Sequence, residues 1–163
     1  MLTIIWKEGY INMQAQKVYQ LFKKHLEAND FKFTPHDDDL VISMTVMGED
    51  LPQPTLIRVI EERDVVQVLS PIPSHIPEDK RIDAAIAVAV ANYGMINGSF
   101  DYDMSDGEIR FRVTQSFRDC ELGEETAKYL LSVAFAMTDK YNDRFFMLGK
   151  GMLSLEKFME MEG

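Results

Sequence analysis

The stretch "FDYDMSDGEIRFR", residues 100 to 112, sets three aspartates and a serine around one glycine. Its reading, as a calcium loop or as the turn between two strands, decides the fold. An EF-hand loop needs oxygen ligands at positions 1, 3 and 5, glycine at 6 for the sharp turn and a bidentate glutamate at 12. Counting from Asp101, positions 3 and 5 are Asp103 and Ser105, but Asp106 stands at position 6 and Arg112 at position 12. The match fails where calcium chemistry is most demanding. A hairpin accounts for more residues. Phe100, Tyr102 and Met104 alternate with Asp101, Asp103 and Ser105, and Ile109, Phe111 and Val113 alternate with Arg110, Arg112 and Thr114. Each strand therefore has one apolar and one wet face. Asp106-Gly107 is a favoured two-residue turn because both central residues must accept positive φ. The acids of the first strand can then face Arg110 or Arg112 on the second. A weak cation site is the residual reading.

Upstream of this hairpin, Pro77-Glu78-Asp79 opens a helix that runs to about Tyr93 and ends at Gly94 and Asn97-Gly98, with proline in its first turn and acids at its positive end. Before that helix the pattern predicts four strands. "FKFTP" is short, "LVISMTVMG" starts at Leu40, "TLIRVIEE" starts at Thr55, and "VVQVLSP" follows Arg63-Asp64 so closely that the connection is a tight hairpin. Asp37-Asp38-Asp39 and Pro52-Gln53-Pro54 supply turn chemistry. Val18, Leu21, Phe22 and Leu26 mark a first helix between Gln14 and Asn29, with Asn12 as N-cap and Asn29-Asp30 as its stop. Downstream, Gly123-Glu124-Glu125 starts a long terminal helix that breaks or bends at Gly149 and Gly151. The predicted order is α-β-β-β-β-α-β-β-α, an α+β fold with helices packed on an antiparallel sheet, in one domain spanning residues 1–163.

The totals narrow the function. A formal charge of −10 and a pI near 4.7 repel phosphate backbones, and no basic run longer than Lys23-Lys24 overrides the average. Nucleic acid and anionic membrane surfaces are therefore not expected as partners. The longest uncharged apolar run, Ala84 to Ala91, is far below the roughly 20 residues that cross a bilayer. "MLTIIWKEGY" lacks a basic start and reaches Lys7 and Glu8 too early for a signal peptide. The single cysteine, Cys120, forms no internal disulfide, so the expected location is cytoplasmic.

No residue cluster argues for catalysis, a cofactor or a metal. His36 beside Asp37, Asp38 and Asp39 has no second ligand group to complete a coordination sphere. Cys120 lies between Asp119 and Glu121, which disfavour its thiolate. His25 and His75 have no triad neighbours in sequence, and the "GKG" at 149–151 lacks the rest of a phosphate loop. The informative anomaly is apolar surface. In the middle helix Ile82, Ala85, Ile86, Ala89 and Tyr93 form one face, while Ala84, Ala87, Val88 and Ala91 form another. A helix apolar all round is covered on both sides, by its own chain or by a second subunit. Leu130, Ala134, Met137, Tyr141 and Phe145 make a further stripe, and Met152, Leu155, Phe158 and Met159 continue it beyond Gly149. Methionine, present eleven times, serves either core gaps or adaptable binding surfaces.

The run "VVQVLSPIPSHIPEDKRIDAAIAVAVANYGMINGSFDYDMSDGEIRFRVTQSF", followed by a helix carrying "DKYNDRFFMLGKGM", resembles the YbjN-domain family of bacteria. The shared features are P-E-x-x-R opening the middle helix, Asn-Tyr near its end, G-x-F starting the next strand, and "DGEIRFR" in the hairpin; the likeness is clearest over 64–152. The resemblance implies a type III secretion chaperone-like fold that commonly dimerises. It also implies a sensory transduction regulator or chaperone-like protein, with no catalytic residues to carry over. The expected function is a non-enzymatic protein-binding module, a homodimer that takes an apolar partner segment by strand addition or in a helix-lined groove. The expected interface is Ala84, Ala87, Val88 and Ala91, with Met152, Leu155, Phe158 and Met159 as a further docking surface. The alternative is a small-molecule sensor or an enzyme whose site, assembled in space, uses His36, the aspartates beside it, or Tyr93.

Overall fold

The computed structural model describes residues 13–162; the Asn12 N-cap and the N-terminal decapeptide lie outside them. The first helix, α1, is Met13–Ala28, followed by β1 (Phe33–His36), β2 (Val41–Met47), β3 (Pro52–Ile60) and β4 (Val65–Pro71). Then come α2 (Arg81–Tyr93), β5 (Ser99–Tyr102), β6 (Ile109–Ser116), the long α3 (Glu124–Gly149) and a short α4 (Leu155–Glu160). The strands form one six-stranded sheet in the order β1-β2-β3-β4-β6-β5, every neighbour antiparallel. This is the expected α+β order with one short helix added at the end.

Alternation in the strands fixes which face is covered. Ile57 and Val59, Val66 and Val68, and Ile109, Phe111 and Val113 all point to one face and are buried. Thr45, Leu56 and Arg58 point to the other and are exposed. The buried face meets α1 and α3, and α2 and α4 pack beside α3. The stripe of α1 closes over the sheet with Ala15, Val18, Tyr19, Phe22 and Leu26, all buried, each large apolar side chain contributing roughly 1.5–3 kcal/mol. Phe100 lies at the centre of an aromatic cluster, its ring edge-on to Phe111, Tyr141 and Phe145 at centroid distances of 5.2, 5.3 and 5.1 Å.

Two turn readings are corrected. Pro52-Gln53-Pro54 is not a turn but the start of β3, opposite Met47, Val46 and Thr45 of β2. Prolines are tolerated there because β3 pairs with β4 only from Leu56 onward, so over this stretch one of its edges demands no N–H donor. The true turn is 48–51, closed by Gly48 N–H on the Leu51 carbonyl at 3.2 Å. Asp139 of α3 holds it: its Oδ1 accepts the Glu49 N–H at 2.9 Å and the Gln53 side-chain amide at 2.8 Å. Likewise Asp106-Gly107 is not a two-residue turn, since β5 and β6 part at the pair Tyr102 and Ile109 and residues 103–108 form a longer loop. Gly107 is at φ +87°, and an added Cβ would collide with the Ile76 carbonyl. The glycine serves that close approach, and Ile76 N–H donates to the Gly107 carbonyl at 2.9 Å. Hairpin and apolar face stand; the turn is longer because it docks on the segment leading into α2.

Candidate functional site

The chain itself covers the small-residue face of α2. Ala84 and Ala87 are 0% exposed, Ala91 3% and Val88 7%, so the face expected as an interface lies in the molecule's own core. Small side chains let α2 approach α3 and α4 closely, where a bulky face would hold them apart. The larger residues turn outward instead: Ile82, Ile86 and Tyr93 are exposed. Of the C-terminal residues, Phe158 is fully buried, its ring 5.4 Å from Phe145 and 6.4 Å from Tyr141. Leu155 is half-buried, and Met152 and Met159 are exposed.

Between α2 and α3 runs an open groove of about 710 Å³. One wall is the end of α2 and the turn beyond it, with Tyr93, Met95 and Ile96. The other is α3, where Tyr129, Val133, Met137 and Lys140 line it over three turns, about 16 Å at 1.5 Å per residue. Ala91 and Tyr141 form the floor, and Met159 and Glu162 close one end. Tyr93 is 95% exposed, Ile96 fully so and Tyr129 49%, which makes the groove a continuous apolar strip presented to solvent.

The closed end is polar. Tyr141 O–H donates to Glu162 Oε2 at 2.6 Å, Arg144 Nη1 pairs with Glu162 Oε1, and Lys140 Nζ stands 3.6 Å from Oε2. Both cations also lie over the Tyr141 ring, Lys140 at 4.7 Å and Arg144 at 5.4 Å from its centroid. Burial first, then the bond to the Glu162 carboxylate, push the Tyr141 phenol well above its ordinary value. It therefore remains a proton donor at any working pH.

The other wall is tied to the sheet by one amide. Asn92, in the last turn of α2, donates from Nδ2 to the Phe100 carbonyl at 3.0 Å and accepts the Phe100 N–H on Oδ1 at 2.7 Å. Phe100 sits in β5, at the margin of the sheet. The side chain thus takes up both main-chain groups as a neighbouring strand would.

The residues of the alternative reading are not brought together. His36 ends β1 at one margin of the sheet, its Nε2 3.0 Å from Ser43 Oγ, while Tyr93 stands by β5 at the opposite margin. Asp37 faces α1, accepting Tyr19 O–H at 2.8 Å and the Lys23 ammonium at 2.9 Å. The Lys23 and Tyr19 hydrogen bonds hold its carboxyl below the usual range. Among the described residues no group of three or more His, Cys, Asp or Glu is placed to hold a metal ion, and no helix is long and apolar enough to cross a membrane. Sequence reasoning missed Ile96, Tyr129 and Glu162. Ile96 lay in a segment read only as a helix stop, and Glu162 meets Tyr141 and Arg144 from some twenty residues away.

No protein-family model and no curated protein sequence matches the chain. Solved structures share its fold, among them these three. A chain of the HopA1-SchA chaperone-effector complex aligns with TM-score 0.60 at 12% identity, over 82% of this chain and 99% of that one. YbjN from E. coli aligns at 0.58 and 10%, over 75% and 86%. A chain of the ExsC-ExsE complex aligns at 0.57 and 11%, over 79% and 93%. The architecture is the type III secretion chaperone-like fold, and YbjN has it too.

Proposed function

We propose that the protein is a non-enzymatic binding module that takes an apolar polypeptide segment of a partner into the groove between α2 and α3. The observation that carries this reading is the exposed strip of Tyr93, Ile96 and Tyr129 beside Met95, Val133 and Met137. Aromatic residues and methionine suit such a strip because they offer large, adaptable contact area, and a three-turn groove matches an amphipathic helix laid along it. The company of the fold points the same way, since two of the three neighbours are components of two-protein complexes, one of them named a chaperone-effector complex. The third, YbjN, is named as a candidate transcription regulator. For this chain, with formal charge −10, a regulatory role would run through protein rather than DNA contacts. The charge and the lone cysteine suit a reducing cytoplasm.

The test is selection of phage-displayed random dodecapeptides on the purified protein. Groove binders are expected to lose at least about tenfold in affinity to Ile96→Glu or Tyr129→Glu, because a charge must be desolvated where an apolar anchor docked. Both positions face solvent, so thermal stability should be unchanged. Peptides indifferent to both substitutions would defeat the reading. A homodimer built on the outward face of α2 is a second reading, favoured by the exposure of Ile82 and Ile86.

A further inference from the structure

The polar end of the groove is a built carboxylate site. Glu162 has 13% of its side chain exposed and Arg144 17%, and Tyr141 is 2% exposed. Two cations and one phenol thus converge on a single carboxylate at the groove end of a chain whose formal charge is −10. The carboxylate comes from the turn that follows α4, whose main chain is held by the Met161 N–H on the Lys157 and Phe158 carbonyls and the Glu162 N–H on the Met159 carbonyl. Glu162 lies two residues past α4, and of 159–162 Met159, Glu160 and Met161 are exposed. Phe158, with half-buried Leu155 beside it, anchors α4, so the core contacts of α4 do not depend on Met161 or Glu162.

We infer that Glu162 is an intramolecular stand-in for an acidic residue of the partner: the segment bound in the groove carries an aspartate or glutamate beside its apolar anchors, and that carboxylate replaces Glu162 on Arg144, Lys140 and Tyr141. This rests on the groove being the binding site. Charge complementarity selects the occupant, because only an anion can take over two partly buried cations without stranding them. Glu162 then sets the apparent affinity, since a partner's carboxylate binds only the fraction of molecules whose own carboxylate has left.

The same dodecapeptide library, selected on the wild type and on Glu162→Gln, tests this. Groove-dependent peptides, identified by their loss to Ile96→Glu, should carry an acid at a fixed spacing from apolar residues. Synthesised, they should bind Glu162→Gln about tenfold more tightly than the wild type, and changing the peptide's acid to its amide should remove that gain. Because Glu162→Gln leaves Arg144 without its partner and lowers stability, acetate provides a second measurement. It should shift the Tyr141 ring resonances of the folded variant and leave those of the wild type in place. Groove-dependent peptides that lack an acid, or whose affinity ignores residue 162, overturn this inference and leave the groove standing. A library with no peptide sensitive to Ile96→Glu overturns both.

Discussion

Asp101 shows how one pair fixes the hairpin that opens onto α2. Arg112 donates to it twice, from Nε at 2.7 Å and Nη2 at 2.9 Å, and Arg110 stands at 3.6 Å. The Arg112 hydrogen bond, with the charges of both arginines against a smaller desolvation effect, holds the Asp101 carboxyl below its ordinary value. Its folded value is thus lower than its unfolded one. The pair contributes stability above the unfolded aspartate value, about 3.9, and that contribution is lost as pH falls through the folded value. Asp101→Asn should therefore cost at most about 1 kcal/mol at neutral pH, because solvent screens a part-exposed pair. The gap between variant and wild type, followed by urea denaturation, should close below about pH 4. A gap independent of pH would mean the pair acts through shape alone. This pairing was legible in the sequence, because alternation places Asp101 and Arg112 on one face of adjacent strands. The Glu162 contacts were not, since nothing local links a residue to partners that only the packing of α4 brings near.

The helix α2 separates what hydrophobicity can and cannot say about an element. Its end at Tyr93 and its apolar character all round follow from the sequence, while its start does not, since 78–80 form a 3-10 turn and α2 begins at Arg81. Which face turns inward depends on the neighbour's distance, and that is set by side-chain volume rather than by polarity. The alanine face goes in because α3 and α4 are close; the isoleucine face is left out. Ala87→Arg should for this reason unfold the protein rather than divide a dimer, since a guanidinium would be forced into a position that is 0% exposed. Circular dichroism should show lost helix or a melting point lowered by 10 °C or more, roughly 2.5–5 kcal/mol for a domain of this size. A stable, folded monomer would return that face to the surface. At β3 the proline pair misled in a different way: Pro52 and Pro54 carry turn chemistry, but turn chemistry is overruled where only one edge of a strand is paired.

For the whole molecule, the sheet and its helical layer could be read from periodicity, whereas the groove could not, because a groove is a gap between elements. The same holds for assembly. If the outward face of α2 joins two copies, light scattering on the wild type should give twice the chain mass of 18.7 kDa, and Ile86→Asp should return a folded monomer. A wild-type monomer across the micromolar range would remove that reading and leave the groove as the apolar surface to be explained. The Asn92 amide has a consequence at this scale. A sheet of this kind offers two raw margins, each able to seed growth by recruiting another chain, the step that starts fibres and clouded solutions. At β1 the margin is four residues long and includes Pro35, which withholds a donor. At β5 the Asn92 side chain already occupies the Phe100 main chain. One carboxamide thus acts as a stopper, filling the main-chain positions at Phe100 that a recruited strand would need.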